Sequence, residues 1–193
     1  MGGARANGVA SIEDMLALPA GDLWVFGYGS LMWRPDFAFE AAHLAKLHGY
    51  HRALCVWSWV HRGTEAAPGL VMGLDLGGSC VGRAYRVAAA ERASVLDKLR
   101  AREMATPVYR PHHGRFRMDG TEATGLVFTV DRAHPQYAGK LVPAEAAAVV
   151  RDAVGGSGAN PEYLANMTAH LGQLGIVDRH LEAVHALVEA GGG

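Results

Sequence analysis

The sequence predicts an α+β fold in which a small mixed or antiparallel β-barrel is flanked by helices. Three observations lead there. Between Leu23 and Val130 short apolar and β-branched runs are broken by glycine-containing turns, the pattern of a small barrel rather than a doubly wound sheet. Asp119-Gly120, set between two such runs, is the strongest hairpin signal in the chain. From Pro143 onward the pattern is helical. The 193 residues suit one domain with a core of its own, with flexible ends expected at about 1–10 and 191–193.

Ser11-Ile12-Glu13-Asp14 reads as a helix start, with Ser11 as N-cap and acidic residues in the first turn; Pro19 and Gly21 stop it. Leu23-Trp24-Val25-Phe26 is a buried strand that breaks into Gly27-Tyr28-Gly29. Two glycines around a tyrosine permit φ > 0 or close backbone approach to a ligand. An ordinary tight turn is the default for such a triplet, but Leu31-Met32-Trp33 forces this one to pack inward. Its N–H groups can then converge on an anion or a polarised carbonyl. His43 to His48 leads into a strand over Gly49–Val60. Leu70–Leu76, with an internal Gly73 suited to a bend or bulge, and Cys80–Val87 are paired as a hairpin through Gly77-Gly78. Ala88–Arg102 is helical and ends at Thr106-Pro107. Val108–Met118 and Thr121–Val130 flank the Asp119-Gly120 turn. Helices are expected over Pro143–Val154, Pro161–Leu174 (with Asn160 as N-cap) and Asp178–Glu189. Gly155-Gly156-Ser157-Gly158 reads as a flexible connection.

The formal net charge of −1 leaves no electrostatic footprint for nucleic acid or an anionic membrane. No apolar run reaches the ~18 residues of a membrane span, and residues 1–10 lack the apolar core of a secretory signal. The two cysteines, Cys55 and Cys80, read as buried free thiols, which fits a reducing, cytoplasmic compartment.

Glu103 is the carboxylate placed for chemistry. It lies four residues after Leu99 and seven after Leu96, so it shares the apolar stripe of its helix. Lost hydration raises a glutamate from a reference of about 4.3 towards neutrality, where it serves as a general base. The competing reading is a pair with Arg100 or Arg102. His112-His113, His48 with His51, and His134 invite a metal, but none has strong zinc spacing, and adjacent strand residues face opposite ways. Ser30 lacks the second glycine of a nucleophile elbow, and Gly27-x-Gly29 lacks the third glycine of a dinucleotide fingerprint. Tyr137 and Tyr163 are candidate pocket liners, a role that competes with the half-buried structural positions common for tyrosine. Arg34, Arg52 and Arg62 are candidates for a substrate carboxylate against the default of surface arginine.

Taken together, these stretches resemble the ChaC family of glutathione-specific γ-glutamylcyclotransferases. The match is carried by Phe26-Gly27-Tyr28-Gly29-Ser30-Leu31, Trp33-Arg34-Pro35-Asp36-Phe37, Trp57-Ser58, and His61-Arg62-Gly63-Thr64. It continues through Pro68-Gly69-Leu70, Gly77-Gly78-x-Cys80-x-Gly82, Arg102-Glu103-Met104, Pro135-x-Tyr137 and Asn160-Pro161-Glu162-Tyr163-Leu164. It runs in order over about residues 23–185. Glu65-Ala66-Ala67 and Ala53-Leu54 depart from the usual pattern and bear on loop shape. The resemblance implies a γ-glutamylcyclotransferase-like barrel that cleaves glutathione to 5-oxoproline and cysteinylglycine without metal or organic cofactor. It places the catalytic acid/base at Glu103 and the substrate-binding loop at Gly27, Tyr28, Gly29, Ser30, Leu31 and Met32. Other γ-glutamyl amino acids or amines as substrates, a non-catalytic small-molecule-binding regulator on the same barrel, and a histidine-metal hydrolase are the competing readings.

Overall fold

The structure is a computed structural model that describes residues 11–191. The expected flexible segments at 1–10 and 192–193 lie outside the described residues, and Gly191 caps the last helix. The chain runs α1 (Ile12–Met15), β1 (Leu23–Gly27), β2 (Ala41–Ser58), β3 (Gly69–Val87), α2 (Arg92–Glu103), β4 (Tyr109–Met118) and β5 (Thr121–Val130). Then come α3 (Pro143–Asp152), the short pair β6 (Val154–Gly155) and β7 (Gly158–Ala159), α4 (Asn160–Gln173) and α5 (Arg179–Ala190). Strands β1 to β5 close into a barrel in the order β1-β3-β2-β4-β5. Every neighbour is antiparallel except β5 and β1, which meet in parallel at Val25 and Leu126, so the barrel is mixed.

Alternation along the strands explains why one barrel supports two large apolar clusters, beside a small third one at Cys55, Val56 and Val108. Phe26, Ala84 and Val127 belong to one cluster, and their chain neighbours Val25, Tyr85 and Leu126 to the other. Successive strand residues point to opposite faces, so these strands are covered on both sides. One cluster fills the barrel with Phe26, Leu47, Leu74 and Phe116 and extends under α3, α4 and α5 through Ala147, Leu164, Met167 and Val184. The other lies under α2, where Val95, Leu96 and Leu99 pack with Val25, Tyr85, Leu126 and Phe128.

Local signals at the ends of elements hold in several places. The Ser11 hydroxyl accepts the Asp14 N–H at 3.1 Å, and the Asp14 carboxylate accepts the Ser11 N–H at 3.1 Å, although α1 stops at Met15, short of Pro19. Asp119 and Gly120 both take positive φ, 47° and 77°, as a two-residue hairpin turn requires. Asp178 caps α5 by accepting the Leu181 N–H at 3.1 Å. Cys55 and Cys80 are buried free thiols. Among the described residues no helix is long and apolar enough to cross a membrane.

Four local expectations are corrected. Gly77-Gly78 does not reverse the chain: β3 is continuous and pairs with β2 from Ala41–Arg86 to Ser58–Gly69. The register step from His48–Ser79 to Tyr50–Leu76 sets Gly49 against Gly77 and Gly78, a bulge in which all three take positive φ. The extra residue bends the pair and helps it close into a barrel. Gly73 is not itself the second irregularity, which falls between Leu54 and Val56; a Cβ on Gly73 would lie 2.7 Å from the Cys55 sulfur. Asn160 is fully buried and does not cap its helix; its amide accepts the Leu70 N–H at 2.6 Å and donates to the Leu70 carbonyl at 2.8 Å. The glycine-rich connection is ordered as β6 and β7, whose turn donates from Gly156 N to Val60 O at 2.7 Å and from Ser157 N to His61 O at 2.9 Å.

Candidate active site

The loop after β1 is shaped by packing. Gly27 and Gly29 are not in the left-handed region; Gly29 has φ −121° and closes onto a 3-10 turn over Ser30–Met32. A Cβ at Gly27 would sit 2.9 Å from the Leu31 Cβ, so this glycine is needed for the turn to fold back on itself. Leu31 and Met32 are buried as expected, at 4% and 1% exposure. The turn is held from behind: Arg52 Nε donates to the Tyr28 carbonyl at 2.6 Å, and the Tyr85 hydroxyl lies 2.8 Å from Leu31 O and 2.9 Å from Met32 O. The carbonyls of the turn are engaged in this way, and the first N–H groups of a helical turn have no partner within the turn itself.

Glu103 ends α2. Leu96 and Leu99 seat that helix on the barrel, and the same face carries the Glu103 side chain inward to 16% exposure. Its Oε1 also lies 3.2 Å from Arg102 Nε, the pairing named by the competing reading. Burial raises the carboxyl above its ordinary range, and the Arg102 charge opposes that rise. Arg102 further donates to Ser30 Oγ at 2.9 Å, to the Arg34 carbonyl at 2.6 Å and to Asp36 Oδ2 at 2.8 Å. One guanidinium therefore ties the glycine turn to the buried acid. Both line a cavity of about 830 Å³, together with Trp33, Arg34, Tyr109 and Tyr163.

Three tyrosines line this cavity as neutral phenols. Burial pushes Tyr28 and Tyr109 well above the usual phenol range, and Tyr163 up to about 12. Tyr109 and Tyr163 hold the backbone of one β3 residue: the Tyr109 hydroxyl donates to Met72 O at 2.8 Å, and the Tyr163 hydroxyl accepts from Met72 N at 3.1 Å. The bond from Met72 therefore leaves the Tyr163 O–H itself unspent, on a residue that lines the cavity. At the mouth, Trp33 stacks on His170 at 4.3 Å, and His61 Nδ1 lies 3.0 Å from Ser157 Oγ.

Of the residues singled out from sequence, the structure brings Glu103, Tyr28, Gly29, Ser30, Leu31 and Tyr163 together around the cavity. Gly27 and Met32 sit behind it as packing partners. Tyr137 is elsewhere: its hydroxyl donates to the buried Asp75 at 2.9 Å, and Asp75 also accepts from Arg132 at 2.6 Å. Arg52 is 4% exposed and serves the turn from outside the cavity, whereas Arg34 and Arg62 line it. The histidines disperse, and His112 and His113 occupy consecutive register positions on β4. Sequence reasoning missed Tyr109 and the Met72 backbone, because strand alternation alone does not say which cavity a residue faces. Ser157 was hidden by its glycine-rich setting.

The family profile described as ChaC-like protein matches residues 23–191. The glutathione-specific gamma-glutamylcyclotransferase of Escherichia coli (strain K12) is 36% identical over 159 residues, covering 82% of this chain and 69% of its own. Glutathione-specific gamma-glutamylcyclotransferase 1 of Rattus norvegicus is 34% identical over 169 residues, covering 84% and 76% respectively. The crystal structure of a yeast gamma-glutamyl cyclotransferase specific to glutathione has the same fold, with a TM-score of 0.79 at 22% identity over 88% of this chain and 96% of that one.

Proposed function

This chain belongs to the ChaC-like family, and on that premise we propose that it is a glutathione-specific γ-glutamylcyclotransferase, converting glutathione to 5-oxoproline and cysteinylglycine. The observation that carries the reading is the meeting of Glu103 and the Tyr28–Leu31 turn on one cavity large enough for a tripeptide. The relatives' names give the reaction; the geometry supports a way to perform it.

The substrate's α-amine attacks its own γ-carbonyl carbon, closing a five-membered lactam as the bond to the cysteine nitrogen breaks. Nucleophile and electrophile are already tethered, and well-oriented intramolecular reactions reach effective molarities of ~10⁵ M or more. The protein's task is to hold the folded rotamer and move protons, so no enzyme nucleophile is required. An α-amine with a reference pKa of about 8 is mostly protonated at neutral pH. Glu103, raised by burial, takes that proton and returns one to the departing nitrogen, a role worth about 10²–10⁴ in rate. The N–H groups of the turn receive the glutamyl end or the developing oxyanion, and the Tyr163 hydroxyl is a further donor among the lining residues. The two buried free thiols fit a reducing, cytoplasmic setting.

Product analysis after incubation with glutathione tests this directly. Release of 5-oxoproline by the wild type and its near loss in a folded Glu103→Gln variant are expected. Faster turnover of γ-glutamylalanine than of glutathione at equal concentration would overturn the substrate assignment. Binding of glutathione without product would replace the enzyme by a binding protein.

A further inference from the structure

If glutathione is the substrate, the cavity must receive two carboxylates, one on the glutamyl α-carbon and one at the glycyl end, and the role assigned to Arg62 rests on that reading. Whether the glycine turn receives the glutamyl end or the developing oxyanion, the glycyl carboxylate needs a cation elsewhere on the wall. Three arginines line the cavity. Arg102 is committed to Asp36, Glu103, Ser30 and the Arg34 carbonyl. Arg34 and Arg62 make no ion pair among the described residues.

Of these two, Arg62 is held in place. Its backbone N–H donates to Ser58 Oγ at 2.9 Å. The chain around it is packed backbone against backbone: a Cβ on Gly63 would come within 2.6 Å of Ser58 O, and one on Gly155 within 2.6 Å of the Arg62 nitrogen. The side chain is braced as well, with Nη1 donating to Ala159 O at 3.2 Å and the guanidinium carbon 5.4 Å from the Tyr163 ring centroid. One N–H is thereby used as an anchor, and Nε and Nη2 keep donors in the fork that suits a carboxylate. Such an arginine gives up little rotamer freedom on binding. Arg34, by contrast, is exposed, and among the described residues no bond of its side chain fixes it.

We infer that Arg62, presented by the loop between β2 and β3 and braced by β6 and β7, receives the terminal carboxylate of the leaving dipeptide and selects the tripeptide over shorter γ-glutamyl compounds. The ordered glycine-rich segment then has a purpose: it is the buttress that sets the arginine.

The test compares glutathione with its glycyl carboxamide, a near-isostere without the terminal charge, in wild type, Arg62→Met, Arg62→Lys and Arg34→Met. Wild type should favour glutathione in kcat/KM by about 10- to 100-fold, the range for a charge-assisted pair. R62M should bring that ratio close to one, R62K should restore part of it, and R34M should keep it. A wild-type ratio in folded R62M, or loss of the ratio in R34M instead, would overturn the assignment. Should the wild type form 5-oxoproline from neither compound, the proposed reaction fails. The arginine is then read by calorimetric binding of the same two compounds, where loss of discrimination in R62M supports it and retention refutes it.

Discussion

Arg102 Nε lies 3.2 Å from Glu103 Oε1, so the candidate acid/base and the cation that restrains it are neighbours in sequence at the end of one helix. The pair sets two opposing demands on one carboxyl group. Burial favours the neutral acid, and the adjacent guanidinium favours the carboxylate. A group balanced this way is suited to both taking and returning a proton.

Arg102→Met removes the lowering influence, so the acid limb of the kcat/KM profile against pH should move to higher pH. The same change frees Ser30, Arg34 and Asp36 from their shared donor, and KM should rise as the turn loosens. Steady-state profiles from pH 4 to 9 check both effects, the pH span being about that over which a perturbed carboxyl titrates. An unmoved limb would mean that the titrating group is not Glu103.

Glu103→Gln should cost about 10²–10⁴ in kcat while making the protein more stable at neutral and alkaline pH. A carboxyl raised on folding stabilises the native state at low pH and loses that contribution as pH rises through the folded value. The variant, having no such charge to bury, should match wild type in acid, where both side chains are neutral, and exceed it at pH 8. Urea midpoints at several pH values measure the divergence.

Gly27→Ala should damage substrate binding more than Gly29→Ala. The added methyl at position 27 meets Leu31 Cβ at 2.9 Å and its carbonyl carbon at 3.2 Å, whereas at position 29 its nearest contact is Met72 Cβ at 3.9 Å. Relief of the first clash requires the turn to shift, and misplacement by about 1 Å can cost ~10²-fold. The comparison is of KM and kcat in the two variants, with circular dichroism to confirm folding.

Asn160→Ala should destabilise the fold by about 2–4 kcal/mol, since it strands both the N–H and the carbonyl of Leu70 in a fully buried place. A chemical denaturation midpoint close to wild type would show that these groups find other partners.

Much of the architecture follows from short-range features. The Asp119-Gly120 turn, the strand face that alternates Val25 with Phe26, and the α2 stripe that ends in Glu103 are all written in spacings of a few residues. Misreadings arise where a residue type serves more than one geometry. Gly77-Gly78 suits a reversal or a bulge, and only pairing with the facing Gly49 makes it a bulge. Asn160 suits a cap or a buried clamp, and the approach of Leu70 makes it a clamp. Tyr137 and Tyr163 are the same residue type, yet one faces Asp75 and the other the cavity.

The chain by itself determined that a barrel would form, where most of its helices and strands would lie (the unbroken β3 and the β6–β7 pair excepted), and that a glycine turn and one apolar-face glutamate would stand out. Those are consequences of backbone conformation and side-chain periodicity, which act over a few residues. Tertiary structure alone decided that Arg102 would staple the turn to Glu103, that Tyr109 and Tyr163 would hold Met72, and that a glycine-rich connection would buttress Arg62. Each of these joins residues distant in sequence. Barrel closure brings them together, and the need to pair every buried polar group selects which of them meet.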